Sequence, residues 1–294
     1  MPLETAPLDS AVPEPKTGEN DDLQAVRAAR RKHRATVWAL RALVLAVVFG
    51  SWELLSTYYI DPFYYSKPSL IAERLWDWFT DGTSKGSIWI NLSATLQEAI
   101  YGFLLGSLLG VVLGILFGRA RLLAEVLSPF IQALNAVPRI VLAALFIIWF
   151  GLGMESKIAT ALVLVFFPVF FNDFQGAREV DRTFVDNARV LGASRFQVLT
   201  SIVVPSATSW ILASLHTAFG FALIGAIVGE YAGADKGIGL LIATAQGTFD
   251  AAGIYAGMIL STALALLAEV VLGGLERRLL RWRPPSQSEM AAGL

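Results

Sequence analysis

The strongest constraint on this chain is a series of long apolar runs that carry almost no charge. An α-helix needs about 20 mostly apolar residues to span a bilayer, and stretches near 36–58, 98–118, 124–150, 157–176, 205–229 and 252–275 qualify. A hydrophobic share of 55% against 16% charged residues leaves too little polar surface for an ordinary soluble domain. Backbone buried in hydrocarbon must satisfy its own hydrogen bonds, so the runs are expected to be helices. The expected fold class is an all-α polytopic membrane protein with six transmembrane helices.

Charge placement orients the spans. Lys16, Arg27, Arg30, Arg31, Lys32 and Arg34 precede the first run, Arg119 and Arg121 follow the second, Arg178 to Arg195 follow the fourth, and Arg277 to Arg283 follow the last. The opposite side holds Lys67, Arg74, Lys85, Lys157 and Lys236. Basic residues collect on the cytosolic side, which puts both termini there in a multi-pass protein of the cell (inner) membrane. Residues 1–35, proline-rich and acidic and then basic, read as a disordered cytosolic tail, and 282–294 as a second one. Cysteine is absent, which removes disulfides, thiolate metal sites and cysteine nucleophiles together.

Three segments break the apolar pattern. Pro129, Pro138 and Arg139 interrupt the third run and predict a kinked or broken helix. The external loop 59–90 is rich in Tyr and Trp, and Leu70, Arg74, Leu75, Trp78 and Phe79 suit a helix lying flat on the outer leaflet. The second run carries Gly102, Gly106, Gly110, Gly114 and Gly118. A glycine at every fourth helical position makes a shallow groove that drifts slowly round the axis, and close backbone packing is what holds helices together in lipid.

The third break is the polar segment DNARVLGASRFQVLTSIVVP, residues 186–205 within a cytosolic loop 178–204. Thr183 with Asp186 and Ser194 with Gln197 match capping boxes, and Gly192 stands where a left-handed residue ends a helix. Phe184, Ala188 and Leu191 are expected to share one face of the first short helix, with Asp186, Asn187 and Arg189 elsewhere, which makes it amphipathic. The expected order is helix, glycine turn, helix and then the fifth span.

Read from Asp186, the segment has an acid, Gly192 six positions on, nine residues, and then Ile202, Val204 and Pro205. It resembles the EAA loop of ABC importer permeases: Glu-Ala-Ala, three residues, Gly, nine residues, Ile-x-Leu-Pro. It departs from that pattern at Asp186, Asn187 and Val204. The stretches 127–153, 166–181 and 224–242 are similar to permeases for sulfonates, taurine, nitrate and related small organic anions or heterocycles, and the likeness runs from about Leu92 to Arg281.

That resemblance implies a type I ABC importer permease fold over 91–281, with a cytosolic coupling helix. It implies that Phe184, Asp186, Asn187, Ala188, Arg189, Gly192, Ala193 and Ser194 meet cytosolic ATP-binding subunits. The other implied partners are an extracytoplasmic substrate-binding protein and a second permease copy, most simply an identical one. No nucleic-acid partner, cofactor or metal is expected. The chain has no G-x-x-x-x-G-K-[ST] segment, so it holds no phosphate loop and energy must come from a partner or an ion gradient.

Three ionisable residues inside spans are candidates for the path or its gate. His216, eleven residues past Pro205, sits about 16 Å along a helix and either bonds a neighbouring helix or lines the path. Glu230 falls near the outer end of the fifth span, where it can hold a turn or gate through backbone amides. Arg139 suits a snorkelling or paired cation, with a path contact as the alternative. Glu53, Glu98 and Glu269 show no partner at a telling spacing, and no nucleophile and base pair is visible. An ion-gradient-driven secondary carrier is the alternative function; the absence of a convincing repeat of the two halves argues against it.

Overall fold

The computed structural model describes residues 17–135, 137–180 and 182–279, divided into a unit ending at Ile60 and a second beginning at Asp61. The first unit is one helix, α1 (Thr17–Tyr58). It starts well before residue 36, so residues 17–35 are helical rather than a disordered tail. That stretch is rich in Ala and Arg, both good helix formers, and has no proline after Pro15. Only its later part, Arg31–Tyr58, is apolar enough to cross a membrane. Residues 1–16 and the tail 282–294 lie outside the described residues.

The second unit continues with α2 (Pro62–Tyr65), α3 (Pro68–Thr80), α4 (Ile88–Arg119), α5 (Arg121–Asn135), α6 (Arg139–Phe150), α7 (Met154–Arg178), α8 (Arg182–Val190), α9 (Arg195–Val198), α10 (Val204–Ala232), α11 (Ile238–Gly247) and α12 (Ala251–Leu279). Together with α1, the helices α4, α7, α10 and α12 contain the five described stretches long and apolar enough to span a bilayer. The third span, expected to be kinked or broken, is divided into α5 and α6, of 15 and 12 residues, each too short to cross alone. The break falls at Pro138, which disfavours helical backbone in the residue before it.

The core is a three-helix stack of α4, α7 and α10. The buried α7 residues Ala161, Val165, Val169, Asp173 and Ala177 lie against Gly102, Gly106, Gly110, Gly114 and Gly118 of α4, one for one. The register is unchanged along the row, so the two helices run parallel with a ridge of one in the groove of the other. A Cβ at Gly106 would come 2.7 Å from the Leu162 carbonyl oxygen, and one at Gly110 would come 2.8 Å from Val169 Cβ. Helix α10 closes the other side of α7 in the opposite direction, with Gly225 against the Ala161 backbone and Trp210 against Gly176. Ala161 is thus pressed between glycines of two helices. A core cluster of Ala99, Val165, Ala218, Phe219, Ala222 and Leu223 joins the three helices, and Phe103 meets Phe219 edge-on at 5.5 Å.

Helix α3 packs on α12 instead of lying on lipid alone. Ile71 and Trp78 are buried, and Arg74 pairs with Asp250 at 3.2 Å, while Phe79 points outward against Trp89. Helix α11 lies between the last two expected spans, where no element was expected.

Candidate functional site

Two places carry the polar groups that the fold does not consume: the elbow before α10, and a layer of buried ions at the other end of the α4–α7–α10 stack.

In the elbow, α8 ends in a Schellman motif. The Gly192 amide donates to the Arg189 carbonyl at 2.9 Å, the Ala193 amide to the Ala188 carbonyl at 2.9 Å, and Gly192 has φ +85°. Ser194 follows at once as the N-cap of α9. Its Oγ accepts from the Gln197 amide at 3.2 Å, and Gln197 Oε1 accepts from the Ser194 amide at 2.8 Å. The two short helices are therefore joined with no uncommitted residue between them. A five-residue π-turn, Leu199–Val203, then leads into α10 just ahead of Pro205, which has no amide to give.

The elbow's inward face is Val185, Val198 and Val203, with Ala188 and Ala193 partly buried, against Ile115, Ala177 and Val180. Of the three residues expected to share one face, only Ala188 is turned to the interior. Phe184 and Leu191 point out, at 63% and 87% exposed, as do Val190 and Phe196. Small side chains fit under α8 where the end of α7 approaches it, so the helix turns its larger apolar groups away. Asp186 and Arg189 are exposed and pair with each other at 3.7 Å, and Asn187 is exposed beside them. The first expected capping box is displaced: α8 begins at Arg182, so Thr183 lies within the helix rather than at its cap.

The second place is built by the start of α4. Asn91, Thr95 and Glu98 are buried and continue the glycine row toward the N-terminus. They face the first turn of α11, whose unsatisfied amides take acceptors from distant helices. Gly237 donates to Asn91 Oδ1 at 2.9 Å, Ile238 to Thr95 Oγ1 at 2.9 Å, and Gly239 to Glu230 Oε2 at 2.7 Å. The Thr95 hydroxyl reaches Glu230 Oε1 at 2.6 Å. Glu98 lies beside Glu230, and Lys157 of α7 faces both acids while donating to the Leu152 carbonyl at 2.6 Å. One ionisable residue from each core helix meets in this layer, fully or almost fully buried.

The three embedded candidates do not form one site. Glu230 belongs to the buried layer. His216 is fourteen residues earlier, about 21 Å along α10, on an exposed stripe with Ala213, Thr217 and Gly220. Arg139 opens α6 and holds its guanidinium 4.9 Å from the Phe167 ring centre. Glu98 and Lys157 were missed as partners of Glu230. The available signal was the spacing 91, 95, 98, 102, which places the polar residues on the glycine face.

Long apolar helices that bury ionisable side chains among themselves, with a capped polar elbow set between two of them, define a multi-pass integral membrane protein. The chain belongs to the family described as binding-protein-dependent transport system inner membrane component, whose model matches residues 106–281. It is 36% identical over 240 residues to the riboflavin transport system permease protein RibX of Chloroflexus aurantiacus, covering 82% of this chain and 87% of that one. It is 32% identical to the putative aliphatic sulfonates transport permease protein SsuC of Escherichia coli, over 85% and 93% of the two chains. The taurine transport system permease protein TauC of the same organism is 29% identical, over 81% and 87%. In fold, the chain is similar to a subunit of the MetNI methionine ABC transporter in an inward-facing conformation. The TM-score is 0.50 at 17% identity, and the match covers 66% of this chain and 93% of that one. The protein is thus an ABC importer permease, and the secondary-carrier alternative is not favoured.

Proposed function

We propose that the chain, paired with a second copy of itself, forms the path of an importer for a small organic or inorganic anion. An extracytoplasmic binding protein delivers the solute, and ATP is hydrolysed by cytosolic subunits that grip the elbow α8–α9. The observation that carries this reading is the elbow itself: a capped, slack-free helix pair that holds Phe184, Val190, Leu191 and Phe196 out into solvent. Apolar groups displayed on a rigid support suit a docking surface, and a rigid-body push on them passes into α10 without being absorbed by a loose loop.

In this arrangement α5 and α6 jointly make the sixth crossing, and both termini are cytosolic. The stripe of Ala213, His216, Thr217 and Gly220 faces the second copy across the path. A Cβ at Gly220 would meet nothing of its own chain within 4 Å, in keeping with a face left open for a partner or solute. The anion assignment follows the sulfonate and taurine permeases named above and the cationic or ionisable side chains of Arg139 and His216. Glu230 locks the outer end by accepting from the Gly239 amide of α11 and the Thr95 hydroxyl of α4.

Co-expression with a candidate ATPase tests the reading. The wild-type chain should purify as a complex and take up solute only with ATP. Asp186→Lys, which removes an acid from the exposed elbow, should lower ATPase recovery while membrane yield stays within about twofold, since exposed changes cost about 0.5 kcal/mol or less. Uptake driven by an ion gradient in vesicles holding the chain alone would overturn the proposal.

A further inference from the structure

A cleft of about 320 Å³ lies between α2–α3 and the start of α12, and shares no lining residue with the elbow or the buried layer. Its walls include Phe63, Ser66, Glu73, Arg74, Asp77 and Phe249. Arg74 reaches across to Asp250 at 3.2 Å, and Asp250 in turn accepts from the Gly253 amide at 3.0 Å, fixing the first turn of α12. Glu73 and Asp77 form no ion pair among the described residues, so the cleft carries uncompensated negative charge beside a guanidinium.

Three further features converge here. Among the described residues, Ser66 and Phe249 are the non-glycine residues with positive φ, at 53° and 57°, and both line this cleft. Strain of that kind persists where the surroundings hold a side chain for a purpose. Ser66 is 1% exposed, yet its Oγ has no hydrogen-bond partner, an uncommon state for a buried hydroxyl. Phe249 stacks on Phe63 at 6.5 Å, which gives the acidic wall an aromatic neighbour of the sort that attracts ammonium groups.

Height in the membrane decides the ligand. Asp250 immediately precedes the apolar stretch Ala251–Gly274, which sets the cleft at headgroup level. Trp76 and Phe79 of α3 and Trp89 of α4 are exposed, and Phe79 meets Trp89 at 5.6 Å, which fits an interfacial belt. We propose that this cleft binds the headgroup of a phosphatidylethanolamine molecule. Glu73 and Asp77 hold its primary ammonium beside the aromatic pair, while Arg74 and the Ser66 hydroxyl take its phosphate. The acyl chains run down beside α12. The assignment needs only that the chain is embedded in a bilayer and stands apart from the transport reading.

Lipid retention tests it. The full chain is reconstituted in nanodiscs of equimolar phosphatidylethanolamine and phosphatidylcholine, released into detergent, and weighed by native mass spectrometry. The ethanolamine lipid should be retained over the choline lipid by about tenfold, the ratio that one charge-assisted hydrogen bond can supply. Glu73→Gln with Asp77→Asn should remove that preference, and Asp81→Asn, just past the end of α3 and outside the cleft, should leave it intact. Ser66→Ala should keep the melting temperature of the delipidated protein and lose most of the shift that added phosphatidylethanolamine produces. Equal retention of both lipids by the wild-type chain would overturn the proposal whatever the variants do. So would an undiminished preference in the double variant, an equal loss in Asp81→Asn, or the same melting shift from soluble phosphoethanolamine without acyl chains.

Discussion

The α4–α7–α10 core and the α8–α9 elbow are built by opposite uses of the same residue types. In the core, glycine provides space: each residue of the α4 row lets an α7 side chain or carbonyl approach to where a Cβ would have to stand. In the elbow, Gly192 provides conformation: nothing lies within 4 Å of its missing side chain, but its φ of +85° is one that other residues adopt only under strain. Large apolar side chains divide in the same way. Phe219 and Leu223 are buried in the core, whereas Leu191 and Phe196 are held outward. One region is made so that nothing can be added, and the other so that something is displayed.

The comparison predicts its largest effect inside the glycine row. Gly110→Leu should cost about 3 kcal/mol, the upper part of the usual overpacking range, because its Cβ alone would collide with Val169. Leu105→Ala and Leu109→Ala on the exposed side of α4 should cost well under that. Thermal stability of the detergent-purified chain, with monomer and assembled complex resolved, checks both. A Gly110→Leu protein as stable as wild type would mean that the groove is not an interface.

Next in size is the buried layer. Glu230→Ala leaves the Thr95 hydroxyl with the Asn91 carbonyl at 3.1 Å as a second acceptor, but the Gly239 amide has none. An orphaned buried donor costs about 1–3 kcal/mol, and the loss should be local. Hydrogen exchange at Gly237 to Leu241 should accelerate well before that of α4, and Glu230→Gln, which keeps an acceptor oxygen, should retain part of the protection. Uniform acceleration across the core would show that the layer supports the whole stack rather than the docking of α11.

The glycine row was legible because its period is local: five glycines at one spacing on one helix fix a face without knowledge of the partner. The identity of that partner was not legible, since Ala161 to Ala177 look like any apolar helix until the row is laid against them. The same limit hid the Glu98, Lys157 and Glu230 layer, whose members are distant in sequence and meet only through the α4–α7–α10 register. The break at Pro138 could be read from covalent chemistry, and so could the turn at Gly192 and the Ser194–Gln197 box. The apolar face expected of α8 is divided: Phe184 and Leu191 are exposed, while Val185 and Ala188 pack inward. Helix α11 escaped because ten residues behind glycines look like a loop when their amide acceptors lie on other helices.

A smaller effect is expected at the elbow's turn. Gly192→Leu meets no steric wall, so it should cost about 1–2 kcal/mol, the strain of a left-handed residue, and most of that within the elbow. Membrane yield should remain near normal, whereas ATPase activity stimulated by solute and binding protein should fall, because α9 is displaced from α8. If yield falls as far as for Gly110→Leu, the elbow is a folding element and the contrast between the two regions collapses.

The smallest stability effect belongs to the displayed side chains, and it separates display from burial most cleanly. Leu191 is 87% exposed and Phe196 72% exposed, so Leu191→Ser with Phe196→Ser removes almost no packing from the isolated chain. Exposed substitutions of this kind usually change stability by about 0.5 kcal/mol or less, and the double variant should melt with the wild type in detergent. Its Schellman motif and capping box use backbone, Ser194 and Gln197 atoms that neither change touches. If these side chains are the contact that the ATPase grips, the variant should nonetheless lose the complex, because truncating a central apolar contact costs about 2 kcal/mol or more of binding, roughly a thirtyfold weaker association. Full recovery of the complex would assign the grip to Asp186, Asn187 and Arg189 instead. A lowered melting temperature would mean that the outward apolar groups are covered within the folded subunit, and the elbow would then be a second, smaller core.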